Sequence, residues 1–333
     1  MPPTPRASGR RNFLRTLSLT PLAFAQPRLL AEETHVAPVA SEASPETVAI
    51  PAGEAPRIAL IADCQFADVD AKDPVKGRQY DHSPQKLADA VAKLSALKPH
   101  LAIHLGDLID RDFASFGVVA PIFDSFGCPR YHLAGNHDYS VDDADKARVR
   151  ERLRIPAPGR REVRLPGWRL LFLESNEVSL FRLPKGAPET IAAEAEYDRR
   201  RKDPATAATA QSWNGALGET QRAWLARKLV ETKTAGERAL IFCHQPTIAD
   251  NQHSLWDCAE TLALIAPFRG VLVAWINGHD HAGGYRLVDG IHHWNLKGMV
   301  ETRENTYALA TIHTDRIEVD GFGREPSRTL KIG

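Results

Sequence analysis

The 333-residue sequence contains no uninterrupted apolar run approaching the ~18 residues that a membrane helix needs, so no stable membrane association is expected of the mature chain. It has only four cysteines, Cys64, Cys128, Cys243 and Cys258, with no CxxC pair and no short zinc spacing, which excludes a thiolate zinc module and a disulfide framework. Whether two of them pair is left open, since buried thiols acting as small apolar groups account for them equally well. There is no internal repeat and no net charge, the chain carrying 42 basic and 42 acidic residues. Residues 1–25 hold Arg6, Arg10, Arg11 and Arg15 and no acid, so removing them leaves 38 basic against 42 acidic residues. That balance leaves no basic footprint for nucleic acid.

What is present begins with a targeting pattern. A basic stretch precedes the apolar run from Thr16 to Ala25, which closes on the small-x-small site Ala23-Phe24-Ala25. The run Gly9-Arg10-Arg11-Asn12-Phe13-Leu14-Arg15 resembles the bacterial twin-arginine signal, which implies passage through the twin-arginine export machinery to the periplasm or beyond. An arginine-rich amphipathic N-terminus without a targeting role is the alternative. Residues 26–55, rich in Ala, Pro, Glu, Thr and Ser, read as a flexible linker, and the folded domain is expected over 56–333.

From Arg57 onward short apolar runs alternate with helix-like stretches. The pattern predicts strands at Arg57–Ala62, Leu101–Leu105 and Arg130–Leu133, with helices at Ser83–Leu97 and Phe113–Phe126 between them. Ser83 is expected to cap its helix, with Pro84 at the first helical position. Strands are also expected at Arg161–Leu165, Trp168–Ser175, Ala239–Cys243 and Val271–Ile276, and a helix at Glu219–Thr234. The C-terminal part reads as β-rich, with runs at Gly284–Val288, Ile291–Leu296, Tyr307–His313 and Arg316–Val319. Residues 182–212 read as an inserted loop with a solvated basic face. The succession is that of an α/β fold.

Each core strand ends in a polar group: Asp63-Cys64-Gln65, Gly106-Asp107, Gly135-Asn136-His137-Asp138, His244, and Gly278-His279-Asp280-His281. Strand ends of an open α/β sheet converge on one edge, where such folds hold ligands. Hard oxygens from Asp, Asn and Gln with neutral imidazoles suit manganese, iron or zinc rather than a thiolate-bound ion. A pair of divalent ions bridged by one carboxylate can activate water against a phosphate ester or anhydride. A lone Asp or Asn at a strand end is more often a turn residue, but seven candidates in this order are not.

This order resembles the calcineurin-like metallophosphoesterase family, with Gln65 standing where the family's first histidine is usual. That glutamine, together with Arg78-x-Tyr80-x-x-Ser83, Trp213-Asn214-Gly215-Ala216, the Gly278–Tyr285 run and His292-His293 before Glu301-Thr302, resembles the manganese-dependent ADP-ribose/CDP-alcohol diphosphatase branch. The resemblance implies a four-layer α/β/β/α sandwich of two mixed sheets flanked by helices, acting on a small phosphorylated substrate; a monomer is expected. It implies one metal on Asp63, Gln65 and His281, a second on Asn136, His244 and His279, and Asp107 between them. His137 would donate a proton to the leaving oxygen or stabilise charge on the transferring phosphoryl, with Asp138 orienting its ring. Cleavage of the phosphoanhydride by a two-metal-activated hydroxide is the expected reaction; a phosphomonoesterase or cyclic-nucleotide phosphodiesterase on the same metals is the rival, and a non-catalytic scaffold the reading from another class. Arg78, Tyr80 and Ser83 are candidates to meet a second phosphate or a ribose, and Trp213 and Tyr285 to stack on a base. His253, His292 and His293 fall outside the ligand pattern and are expected to pack or line a pocket.

Overall fold

The computed structural model describes residues 44–68 and 77–333. The expected signal at 1–25, and the linker as far as residue 43, lie outside the described residues. In chain order the strands are β1 (Glu46–Thr47), β2 (Arg57–Ile61), β3 (Leu101–His104), β4 (Arg130–His132), β5 (Arg161–Leu165), β6 (Trp168–Phe172), β7 (Arg238–Phe242), β8 (Leu272–Asn277), β9 (Gly284–Val288), β10 (Ile291–Asn295), β11 (Thr306–Ile312), β12 (Arg316–Gly323) and β13 (Arg328–Lys331). The helices are α1 (Ser83–Ala96), α2 (Phe116–Phe123), α3 (Lys146–Arg152), α4 (Pro188–Lys202), α5 (Gly218–Thr234) and α6 (Cys258–Ile265).

Two mixed sheets form, in the orders β13-β12-β11-β2-β3-β4 and β1-β5-β6-β7-β8-β10-β9. Their strands alternate faces with a period of two, and in the central strands β2, β3, β6, β7 and β8 both faces are buried. Ile58 and Leu60 of β2, Leu101 and Ile103 of β3, Leu170 and Phe172 of β6, and Leu240 and Phe242 of β7 share one core between the sheets. The opposite faces are covered separately. Ala59 and Ile61 pack with Leu87, Leu94 and Val119 from α1 and α2, and Leu171 and Ile241 with Trp224, Leu225 and Leu229 from α5. The result is a four-layer α/β/β/α sandwich, as the resemblance implies; the strand pattern alone indicates only an α/β fold.

Several boundaries differ from the sequence reading. The stretch expected to be linker joins the fold before Arg57: Glu46 and Thr47 pair with Val163 and Arg164, and Val48 is buried. Two residues of strand are too few to leave a periodic signal. The Phe113–Phe126 helix is shorter, because Asp112 accepts the Ala114 N–H and opens a 3-10 turn before α2. The expected loop at 182–212 contains α4, which buries mainly Thr190, Ala193 and Arg200 and so shows no apolar stripe. Arg200 is not solvated; its guanidinium meets Glu196 at 2.6 Å and Glu260 at 2.6 Å. All four cysteines are free thiols.

Ser83 is not a cap. It lies inside α1, fully buried, and its hydroxyl donates to the Cys64 carbonyl at 2.6 Å, tying the helix to the loop that carries Asp63 and Gln65.

Candidate metal centre

The strands β2, β3 and β4 run parallel, as do β7 and β8, so their C-terminal ends open on one edge of each sheet. Asp63 and Gln65 follow β2, Asp107 follows β3, Asn136 and His137 follow β4, His244 follows β7, and His279 and His281 follow β8. Four of these side chains leave a left-handed backbone: φ is 54° at Asp63, 45° at Gln65, 57° at Asp107 and 72° at His279. Such conformations cost about 1 kcal/mol or more per non-glycine residue, and persist where surrounding contacts fix them. Here the backbone turns sharply out of the strand so that the side chain points across the edge.

Two glycines admit this crowding. A Cβ at Gly135 would lie 2.0 Å from Asp107 Oδ1, and one at Gly106, where φ is 99°, would lie 2.4 Å from the His244 ring.

The side chains assemble into two overlapping groups. Potential ligand atoms of Asp63, Asp107 and His281 lie within 4.8 Å of one another, and so do those of Asp107, His244 and His279. Asp107 belongs to both. Its Oδ2 lies 3.3 Å from His244 Nε2 and accepts from Gln65 Nε2 at 2.9 Å. His281 Nε2 lies 3.5 Å from Asp63 Oδ1, and Asn136 Oδ1 lies 3.3 Å from His244 Nε2.

The imidazoles are oriented from behind. His244 Nδ1 is 2.7 Å from the Leu105 carbonyl and His281 Nδ1 is 2.9 Å from Glu301 Oε1, which turns each Nε2 toward the centre. His279 Nε2 is 2.8 Å from Asn214 Oδ1, leaving Nδ1. Such partners fix tautomer and ring angle in metal-binding histidines. Glu301 and Asn214 belong to runs quoted for the resemblance, but the sequence alone gives them no role.

The donors suit divalent cations. Gln65 Oε1 is buried without a hydrogen-bond partner. Burial would depress both His244 and His281, yet Asp107 and Asp63 respectively hold them up at about 9. The centre therefore attracts positive charge where the carboxylates and imidazoles meet.

Asp138 does not orient His137. Its Oδ2 accepts the N–H groups of Asp107 and Gly135, each at 2.9 Å, and its Oδ1 those of Leu108 at 2.9 Å and Ile109 at 3.1 Å. Burial and the Asp107 charge press its pKa up toward about 8, whereas four backbone donors favour the ionised form. With both oxygens fully engaged as acceptors, the carboxylate is the species that fits. Asp138 thus fixes the Asp107–Ile109 turn. The partner of His137 is Asp110, which the sequence reading missed: His137 Nδ1 lies 2.8 Å from Asp110 Oδ1. Asp110 is buried and also accepts from Tyr80 Oη at 2.7 Å. Burial would raise its pKa, and the bonds from His137 and Tyr80 hold it below the usual carboxylate range.

Of the candidate substrate contacts, Arg78 and Trp213 line an open cleft of about 470 Å³ together with Gln65, Asp107, Asn136, His137, His279 and His281. Arg78 stands 3.5 Å from His137 Nε2. Tyr80 and Ser83 do not line this cleft: both are buried, with hydroxyls committed to Asp110 and Cys64. Tyr285 lines a second cleft, and His253 lines both.

The model of the calcineurin-like phosphoesterase family matches residues 56–283. The chain belongs to that family. Within it, the manganese-dependent ADP-ribose/CDP-alcohol diphosphatase of Arabidopsis thaliana is 28% identical over 302 residues, spanning 79% of this chain and 95% of its own. The Homo sapiens protein of the same name is 26% identical over 312 residues, spanning 81% of this chain and 91% of its own. A dimetal phosphatase from Danio rerio shares the phosphoesterase fold with a TM-score of 0.75 at 22% identity, over 84% of this chain and 100% of that one.

Proposed function

We propose that this phosphoesterase hydrolyses the phosphoanhydride of nucleoside diphosphate derivatives, ADP-ribose and CDP-alcohols foremost, with two divalent cations of which Mn²⁺ is preferred. The observation that carries the reading is Gln65, a buried amide whose nitrogen lies 2.9 Å from Asp107 Oδ2 and 3.0 Å from His281 Nε2 and whose oxygen has no partner; rotation of the amide would present that oxygen to an ion held by Asp107 and His281. A hard oxygen at that place favours Mn²⁺ over borderline ions, and relatives carrying the diphosphatase name match nearly their whole length to this chain.

Asp63, Gln65 and His281 would hold one ion, Asn136, His244 and His279 the other, and Asp107 both. The ions supply, when bound, Lewis-acid neutralisation of phosphate charge and a lowered pKa for water. Asp110 anchors His137 through Nδ1, so His137 Nε2 faces the cleft beside Arg78. That nitrogen is placed to donate to the leaving phosphate oxygen, and Arg78 to neutralise the second phosphate. Trp213, 39% exposed on the cleft, offers a stacking face to a base.

The test is a metal-supplemented screen of ADP-ribose, CDP-choline, cyclic nucleotides and an aryl phosphate. Diphosphates with Mn²⁺ should rank first; an aryl phosphate or a cyclic nucleotide ranking first overturns the reading. We further propose twin-arginine export to a bacterial periplasm or beyond, supported by Arg10-Arg11 and the Ala23-Phe24-Ala25 site. Replacing both arginines with lysine should retain the protein in the cytoplasm, and unchanged export counts against that route.

A further inference from the structure

Beside the metal cleft lies a larger one of about 680 Å³, within the range of small-molecule sites, lined by the 246–253 loop, the 280–286 segment and the end of β10. The two clefts share His253 and Asp280. A substrate with its phosphates at the metals therefore has a path into the second cleft. Its lining is polar and built. His293 is 3% exposed, and its Nδ1 is held 3.0 Å from Thr247 Oγ1. Its Nε2 has no partner, and neither has Nδ1 of His253. A buried polar nitrogen left unpaired costs about 1–3 kcal/mol, which a ligand hydroxyl can recover.

The charge pattern narrows the occupant. Asp250 and Asp280 line the cleft, and its Arg286 is engaged with Asp250 at 2.6 Å, so an anion gains little there. Burial lowers His293 to about 4, which leaves a neutral ring. Asn251 Nδ2 donates to Asp280 Oδ2 at 2.9 Å, fixing planar amide and carboxylate groups at the wall. Tyr285 leaves β9 on the opposite face from His293, with its hydroxyl 2.8 Å from His292 Nδ1 and its ring beside Arg328, so the unpaired nitrogens of His253 and His293 are the cleft's free polar groups. Two unpaired imidazole nitrogens, an amide and a carboxylate match a hydroxyl-rich pentose.

We propose that this second cleft binds the sugar arm of a sugar-bearing nucleoside diphosphate, making His293 and His253 specificity determinants. The inference rests on the diphosphatase reading. It is tested with ADP-ribose and the ethyl ester of ADP, which share the adenylate arm and differ in the other. For the wild type the ratio of kcat/KM should favour ADP-ribose about tenfold, one to two hydrogen bonds' worth, and His253→Phe and His293→Phe should each bring it toward one. His253 is half-buried, so its variant tests the site without a change in the core. An unchanged ratio in folded, metal-loaded variants overturns the inference while the diphosphatase reading stands. A selective loss of CDP-choline turnover instead assigns the cleft to a cationic alcohol, and also overturns it. Should the wild type cleave neither ADP substrate, the diphosphatase reading fails, and calorimetry with ribose 5-phosphate on the Mn²⁺-loaded protein decides: binding weakened about tenfold by His253→Phe supports the subsite, and binding that is equal or absent overturns it.

Discussion

The Asp110 carboxyl, bonded to His137 from another loop, and the Asp138 carboxyl, next to it in the chain, are assigned different duties, and the pair of Asn variants separates them. In Asp110→Asn the His137 contact at 2.8 Å loses its charged acceptor, and the Tyr80 hydroxyl at 2.7 Å from the other oxygen must compete with an amide. A hydrogen bond to a charged group contributes about 1–1.5 kcal/mol more than a neutral one, so two weakened bonds remove roughly 2–3 kcal/mol from the orientation of His137. Expressed in the transition state, that is a fall in kcat of roughly 30- to 150-fold. Bound metal should be unchanged, because Asp110 lies in neither ligand group. In Asp138→Asn one oxygen is replaced by an amide that faces two backbone N–H donors instead of accepting from them. Losing two bonds to a buried charge costs about 3 kcal/mol or more of stability and releases the turn that aims Asp107. Turnover of ADP-ribose, bound-metal analysis and thermal unfolding on both variants give the comparison. Near-normal kcat in Asp110→Asn, with a stable, fully metal-loaded but inactive Asp138→Asn, would refute the assignment.

Other variants probe the rest of the molecule. Asp107→Asn should lower affinity for both ions, whereas Asp63→Asn should affect mainly one; two tightly held ions in the Asp107 variant would remove it from the shared position. Gln65→His should tighten retention of Zn²⁺ or Fe and relax the dependence on added Mn²⁺, and identical metal titrations would show that Gln65 is not a ligand. At low pH Asp124 is informative: the bond from His132 pulls it down to about 2, desolvation opposes this, and Arg130 assists at 3.1 Å. Its folded pKa lies below the unfolded one, so its contribution is present above the unfolded pKa of about 4 and is lost as pH falls through about 2. Asp124→Asn should lower the melting temperature at pH 6 and narrow the gap to wild type as pH drops, and a constant gap would contradict the linkage.

The sheet strands were legible because they carry both signals at once, an apolar run and a polar terminus. Arg57–Ala62 and Ala239–Cys243 read as strands from their apolar runs, within a residue of the observed β2 and β7, and Asp63 and His244 follow as the first polar positions beyond the core. What escaped was structure whose burial is not apolar. α4 is held by the ion pairs of Arg200 rather than by a stripe, and β1 contributes two residues to an edge. Ser83 had the sequence of a cap but is covered by the loop it supports, and sequence spacing cannot show that Cys64 O lies above it.

The missed partner of His137 follows from the same limit. Adjacency along the chain suggested Asp138, but in the 3-10 turn His137–Tyr139 the two neighbouring side chains leave the backbone in different directions. Asp138 turns inward, where the Gly106–Ile109 loop supplies N–H groups, and His137 turns to the cleft. Asp110 reaches it because the loop after β3 continues past Asp107 alongside the one after β2, with Phe66 bridged to Ile109. The Asp110 N–H then donates to the Phe66 carbonyl at 2.8 Å, which sets the carboxyl between Tyr80 and His137. A signal was available in retrospect, since Gly106-Asp107-Leu108-Ile109-Asp110 places a second acid three residues beyond the first. Asp107 serves the metals and Asp110 the histidine, so one loop couples the proposed proton donor to the shared ligand through backbone geometry, and a change that shifts this loop should disturb metal binding and proton transfer together.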